Sequence, residues 1–240
     1  MSLIKRYLGL VGLLALFACS ATDATIQLGG SLNVFSTNKA FVITDLPNDW
    51  VTRGKISKRA VSASSALGST TVSVTSAPKP YLFARRIQAS LLATPYLSWR
   101  WKLQSGSQGN HPIRIVIGFS EGGAAPIERS TFTQLFPGSA LPRHDRVLTL
   151  LWAPSALMRG NLKPIAVSGK SKKLEAHYAV RGGAENIGFW WPETVDLASL
   201  YKSSWPTDTQ SSVQVRFIGV TSAASKFRMT AFLSNLRLSR

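Results

Sequence analysis

Tyr96-Leu97-Ser98-Trp99-Arg100-Trp101-Lys102-Leu103 decides the reading of this chain. Leu97, Trp99, Trp101 and Leu103 fall on one side of an extended backbone and Ser98, Arg100 and Lys102 on the other, the period of two that marks a half-buried strand. A helix would scatter the same residues around its circumference. Ile113 to Phe119 repeats the pattern, with Ile113, Ile115, Ile117 and Phe119 set against Arg114.

Working outward, runs rich in β-branched and aromatic residues predict further strands at Phe41 to Thr44, Thr70 to Thr75, Tyr81 to Ile87, Val147 to Trp152, Pro164 to Ser168, His177 to Arg181, Val213 to Val220 and Phe227 to Leu238. Ser105-Gly106, Gly122-Gly123, Pro137-Gly138 and Gly182-Gly183 supply turns between them. Helical periodicity is confined to short stretches such as Val195 to Lys202. About ten short strands with this spacing predict an all-β, two-sheet β-sandwich or jelly-roll-like domain with few short helices. The absence of long amphipathic helices argues against an alternating α/β enzyme fold.

The N-terminus carries a different signal. Lys5 and Arg6 precede an apolar run from Tyr7 to Phe17, which ends in Leu16-Phe17-Ala18-Cys19. Charge, apolar core and small-residue cleavage site in this order read as an export signal over residues 1–18. The run is well short of the roughly twenty residues that cross a bilayer as a helix. Its ending resembles the lipobox of bacterial lipoproteins, which implies diacylation of Cys19 on sulfur, cleavage before it and, with Ser20 following, an outer-membrane address on the periplasmic side. Two or more acyl chains anchor stably where one does not. The alternative is an ordinary cleaved signal that happens to contain a cysteine. Cys19 is the only cysteine in the chain, so lipidation would leave no thiol for a disulfide, a nucleophile or a metal site. Residues 19–31 read as a polar tether and 32–240 as one domain.

Further residues carry a resemblance. Trp50 after Leu46-Pro47, the stretch Thr94-Pro95-Tyr96-Leu97-Ser98-Trp99-Arg100-Trp101-Lys102, then Leu148 to Trp152, Val167-Ser168-Gly169 and Ile218-Gly219-Val220 together resemble a family of exported bacterial proteins known as domain of unknown function 3047. Members often carry paired aspartates before the strand corresponding to Ile113 to Phe119 and an acidic turn near the C-terminus. Here those places read Gly109-Asn110-His111-Pro112 and Thr221-Ser222-Ala223-Ala224. The resemblance therefore implies a fold and a compartment, and no ligand set or reaction.

The formal net charge is +17, and between Trp50 and Ser120 the chain has ten cations and no acid. Such an excess attracts polyanions and is screened by salt. Export and the lack of a nucleic-acid-binding motif turn the expectation away from nucleic acid and toward anionic envelope components: lipid phosphates and acidic polysaccharides. Arg100, Lys102, Arg114 and Arg216 each stand opposite apolar strand residues. If their strands neighbour one another, the four share a sheet face that would bind glycan or another anion; otherwise each only keeps its strand soluble.

Trp99 and Trp101 are expected in the core. In Trp190-Trp191-Pro192-Glu193 the two adjacent rings must point opposite ways, so one is expected near solvent as a sugar-stacking surface. Trp190, Trp191, Glu193 and Asp196 form a candidate loop site. The sequence lacks Gly-x-Ser-x-Gly, His-Glu-x-x-His and a phosphate-cradling Gly-rich loop, and His111, His144 and His177 have no metal-ligand spacing. No cofactor is expected. The favoured expectation is a non-catalytic binding module. The rivals are a carbohydrate-active hydrolase using Glu193 with Asp196 or another carboxylate, and an assembly factor holding a protein partner at the membrane.

Overall fold

The apolar stripe Leu97, Trp99, Trp101 and Leu103 is buried, and Arg100 on the alternate side is exposed. The computed structural model describes residues 23–35, 41–66, 69–104, 111–121, 141–166 and 173–240. Among the described residues the strands in chain order are β1 (Ala24–Thr25), β2 (Ser31–Asn33), β3 (Trp50–Arg53), β4 (Val61–Ala66), β5 (Ser69–Thr75), β6 (Tyr81–Ser90), β7 (Tyr96–Leu103), β8 (Ile113–Ser120), β9 (Arg146–Ala153), β10 (Leu162–Ala166), β11 (Lys173–Gly182), β12 (Trp191–Asp196), β13 (Gln214–Ser222) and β14 (Thr230–Ser239), with one α-helix, α1 (Leu197–Ser204).

They form an all-β sandwich of two sheets. The larger has eight strands in the order β1-β6-β13-β8-β9-β11-β10, with β3 also on β6; the smaller has six in the order β12-β7-β14-β5-β4, with β2 also on β14. Strands β1 and β6 run parallel, as do β9 and β11, and the other strand pairs are antiparallel. The inner faces close on one core in which Trp101 lies 5.6 Å from Trp99 and 5.3 Å from Trp152. Rings in these edge-on and tilted poses add to the burial of their area.

A second apolar layer lies on the outer face of the larger sheet: Val51, Leu82, Ala84, Val116, Val147 and Phe217, with Leu141 and the His144 ring, 5.0 Å from Phe217, against it. Gly118 is required there, because a Cβ at this position would run into the Phe217 ring.

Several boundaries differ from the sequence reading. Phe41 to Thr44 is not a strand; Phe41 instead packs edge-on to Trp50 at 5.0 Å, because the aromatic core takes the ring without needing its backbone in a sheet. The segment expected as a tether belongs to the fold from Asp23 on. Ala24 and Thr25 pair with Ile87 and Gln88, and Ser31 pairs with Ser239. The Ser- and Ala-rich β4 carries too weak an apolar alternation to be read as a strand, yet β5 holds it in register from Val61↔Val74 to Ala66↔Ser69. The expected helix starts two residues late, since Asp196 is its N-cap and accepts the Ser199 amide at 2.9 Å. Pro206 stands just beyond its end, where a missing amide hydrogen costs nothing. The expected turns at Ser105-Gly106, Gly122-Gly123 and Pro137-Gly138, the proposed signal at 1–18, and Cys19 lie outside the described residues.

Candidate functional site

The outer face of the smaller sheet collects the first half of the expected site. Register places Arg100 between Pro192 on β12 and Ser234 on β14, Lys102 beside Phe232, and Arg237 beside Ser98. Trp190, 36 % exposed, lies against Arg100, whose guanidinium is 5.9 Å from the ring centroid. The Lys102 ammonium is 5.9 Å from the Phe232 ring. Such cation–ring contacts hold long side chains over the sheet at about 0.5–1 kcal/mol each when exposed. Thr71 and Ser73 on β5 and Ser62 and Ser64 on β4 extend the face with hydroxyls. Among the described residues of these strands the face has one acid, Asp196, and its carboxylate is occupied by the cap of α1. The result is a basic, hydroxyl-rich surface with the Trp190 ring at its β12 side and the Phe232 ring on β14.

The four expected cations do not share it. Arg114 lies on β8 and Arg216 on β13, both in the larger sheet, so the two pairs sit on different layers of the sandwich. Alternation alone could not show this, because it assigns a side chain to a face of its own strand and says nothing about which sheet that strand joins. Arg114 points to the outer face of the larger sheet. Burial pulls its pKa down, and its Nε has no hydrogen-bond partner. Arg216 stands at a register shift between Val215 and Phe217 and pairs with Asp23 at 3.3 Å, which ties the start of the described chain to the sheet.

The Trp190-Trp191 pair divides as expected, with Trp190 toward solvent and Trp191 half-buried. Trp191 donates from Nε1 to the Asn186 carbonyl at 2.8 Å, and the Arg181 guanidinium lies 4.0 Å from its ring centroid. Glu193 does not lie in the expected loop site but on the inward face of β12. Its strand alternates so that Trp191, Glu193 and Val195 face inward while Pro192, Thr194 and Asp196 face outward. Glu193 and Asp196 therefore stand on opposite faces and cannot act across one cleft. Glu193, 5 % exposed, accepts from Arg181 Nε at 2.5 Å and from Trp101 Nε1 at 3.2 Å, and Arg159 Nη2 lies 3.7 Å from its other oxygen. It is a buried counter-ion that ties β12 and β7 of one sheet to β11 of the other.

Arg181 was missed by sequence reasoning because of a bulge. The register between β11 and β9 shifts between Ala179 and Arg181, which turns Arg181 to the inward row opposite Trp152. A one-residue insertion reverses side-chain parity beyond it. The only signal was an arginine in an apolar run before Gly182-Gly183.

The remaining titratable groups are dispersed. Glu175 and His177 do face one way, outward from β11; burial, then the nearby Arg114 and Lys163 charges, push His177 down to about 4. Burial also pushes His111 to about 4, while its Nδ1 accepts the Ile113 amide at 3.2 Å. His144-Asp145 is no dyad: His144 Nδ1 lies 2.8 Å from the Pro142 carbonyl, and Asp145 accepts the Glu121 amide at 3.1 Å. Arg146 binds Asp208 at 2.7 Å beneath Trp205 and joins the loop after α1 to β9. Among the described residues no group of three or more His, Cys, Asp or Glu could hold a metal ion, and no helix is long and apolar enough to cross a membrane.

No protein-family model matches the chain, and no curated protein matches it. Among solved structures it is similar to endoglucanase 3 of Trichoderma harzianum, from glycoside hydrolase family 12, at 9 % identity and TM-score 0.41, covering 75 % of this chain and 81 % of that one. The xyloglucanase domain of a type three effector from Sinorhizobium fredii gives 10 % identity and TM-score 0.38, covering 90 % and 100 %. A family 12 xyloglucanase from Bacillus licheniformis gives 6 % and 0.38, covering 90 % and 95 %. These likenesses are distant.

Proposed function

We propose that this protein is an exported, lipid-anchored binding module that holds an acidic glycan of the bacterial cell envelope on the outer face of its smaller sheet. The observation that carries this is the company of Arg100, Lys102 and Arg237 with Trp190 and a field of hydroxyls, on strands whose one outward acid among the described residues, Asp196, is occupied. A sugar ring can lie on an indole while its carboxylates meet the cations and its hydroxyls meet Ser and Thr. The hydrolase alternative loses its main residue, since Glu193 is a buried counter-ion to Arg181 that also accepts from the Trp101 indole. On this reading the chain is a divergent member of the exported family it resembles, and Cys19 carries the acyl chains.

Binding to polygalacturonate and to neutral dextran at low and high salt tests the site. Exposed charge pairs are worth up to about 1 kcal/mol each, so Arg100→Gln with Lys102→Gln should weaken polygalacturonate binding about tenfold at low salt. Most of that difference should vanish at high salt. Equal binding by the variant and the wild type at low salt would make the face only a solvated surface.

The anchor has its own test. In a bacterial host fed an alkyne analogue of palmitate, the wild-type chain should take up label and Cys19→Ser should not. Equal labelling of both would remove the lipoprotein reading and leave the sheet face unaffected.

A further inference from the structure

At one end of the sandwich the β3–β4, β5–β6 and β13–β14 connections meet around a cavity of about 330 Å³ lined by Arg59, Phe227, Lys226, Arg228, Ser57 and Ser76 among others. Its walls are backbone-fixed. The Thr75 amide donates to the Ala60 carbonyl at 2.7 Å, Ser76 to Met229 at 2.8 Å and Ser225 to Ala77 at 3.0 Å, while Ser76 Oγ donates to the Phe227 carbonyl at 2.8 Å. Gly54 holds the first connection against the second with φ +75, in a place where a Cβ would meet the Pro80 carbonyl and the Tyr81 backbone. The segments cannot drift apart without breaking these bonds.

The charges on the lining are all of one sign. Among the described residues, Arg59, Lys226 and Arg228 are exposed, form no ion pair and share the cavity with no acid. The three connections also carry Lys55, Lys58 and Lys79, and the whole chain has no acid between Trp50 and Ser120 or after Asp208. Holding like charges together without a counter-charge raises the free energy of the empty site, and an anion relieves that repulsion. Phe227, between two of the cations in sequence, is 73 % exposed. An apolar ring left in water beside a cationic cavity offers a second contact to whatever carries the anion.

We propose that this cavity is a second binding site, separate from the glycan face, that takes a phosphate monoester borne on a compact sugar or lipid headgroup. Two guanidinium groups and an ammonium suit a doubly charged oxyanion, for which arginine gives paired, directional hydrogen bonds. The volume holds a phosphate and one ring at the small end of the range of ligand pockets, about 300–1,000 Å³. The Phe227 ring meets the apolar face of that ring or of the glycerol part of a headgroup.

Calorimetric titration of the full-length chain with glucose 6-phosphate, with glucose as the phosphate-free control, tests the free form. Phosphatidylcholine vesicles doped with phosphatidic acid, compared with phosphatidylcholine alone, test the lipid-borne form. The pocket variant combines Arg59→Gln, Lys226→Gln and Arg228→Gln. A charge-matched control combines Arg143→Gln, Lys202→Gln and Arg240→Gln, three exposed residues elsewhere. The pocket variant should lose at least about tenfold in affinity, the scale of one charge-assisted hydrogen bond, and the control should bind as the wild type does. Glucose 6-phosphate binding that depends on the pocket supports a free monoester as ligand; pocket-dependent binding to the doped vesicles alone supports a lipid-borne one. The proposal is overturned if neither probe binds, if the pocket variant binds like the wild type, or if the control weakens as much, because net charge alone then accounts for the attraction. All six residues are exposed, and thermal unfolding of each variant reports whether its fold is intact.

Discussion

Trp99→Ala should lower the unfolding free energy by about 3–5 kcal/mol, the range for removing a large aromatic side chain from a packed interior. Trp99 is 2 % exposed, with the Trp101 ring edge-on at 5.6 Å, and Trp101 in turn leans on Trp152 from the opposite sheet. Truncation opens a cavity against the central aromatic row, where strands on both sides resist collapse. The indole Nε1 of Trp99 has no hydrogen-bond partner, so its contribution is packing alone, and Trp99→Phe should recover much of the loss. Urea denaturation followed by circular dichroism measures both. A loss below about 1 kcal/mol, the scale of an ordinary surface substitution, would mean that the ring is not in the core and that β7 has its faces reversed.

Glu193→Ala should cost a similar about 3–5 kcal/mol for a different reason. The substitution removes the carboxylate that accepts from Arg181 and Trp101 and leaves a guanidinium in the interior with no counter-charge. An unpaired buried charge is more costly than an absent pair. The double variant Glu193→Met with Arg181→Met should therefore be more stable than Glu193→Ala alone, and a double-mutant cycle over the two positions should return strong coupling. Additive effects in that cycle would show the two groups to be independent. A Glu193→Ala variant as stable as the wild type would free the carboxylate for chemistry and revive the hydrolase reading.

The parts of the site legible in the sequence were the local ones. Arg100 and Lys102 opposite the tryptophan stripe, and one exposed ring in Trp190-Trp191, follow from alternation over adjacent residues. The basic pocket was not legible, although the lack of acids from Trp50 to Ser120 hinted at it. Arg59 and Arg228 are far apart in sequence, and their segments meet through the end of β5, where the Thr75 amide bonds to Ala60 and Ser76 bonds to Phe227 and Met229. The Arg181–Glu193 pair was hidden by the bulge in β11, which has no turn residue to announce it.

Strand period and face were determined by the sequence itself, because side-chain direction on an extended backbone depends only on the count of residues along it. That count, with scattered turn residues and few helical stretches, was enough for an all-β sandwich and for a buried tryptophan stripe. Sheet membership was decided only in the tertiary structure. Arg100 and Arg114 have the same local pattern, yet β7 pairs with β12 and β14 while β8 pairs with β9 and β13. Strand partners are chosen by which inner faces fill the core together, a property of the whole chain. The same packing drew the segment after Asp23 into the sheets, turned Glu193 into an interior counter-ion and gathered distant cations around one cavity.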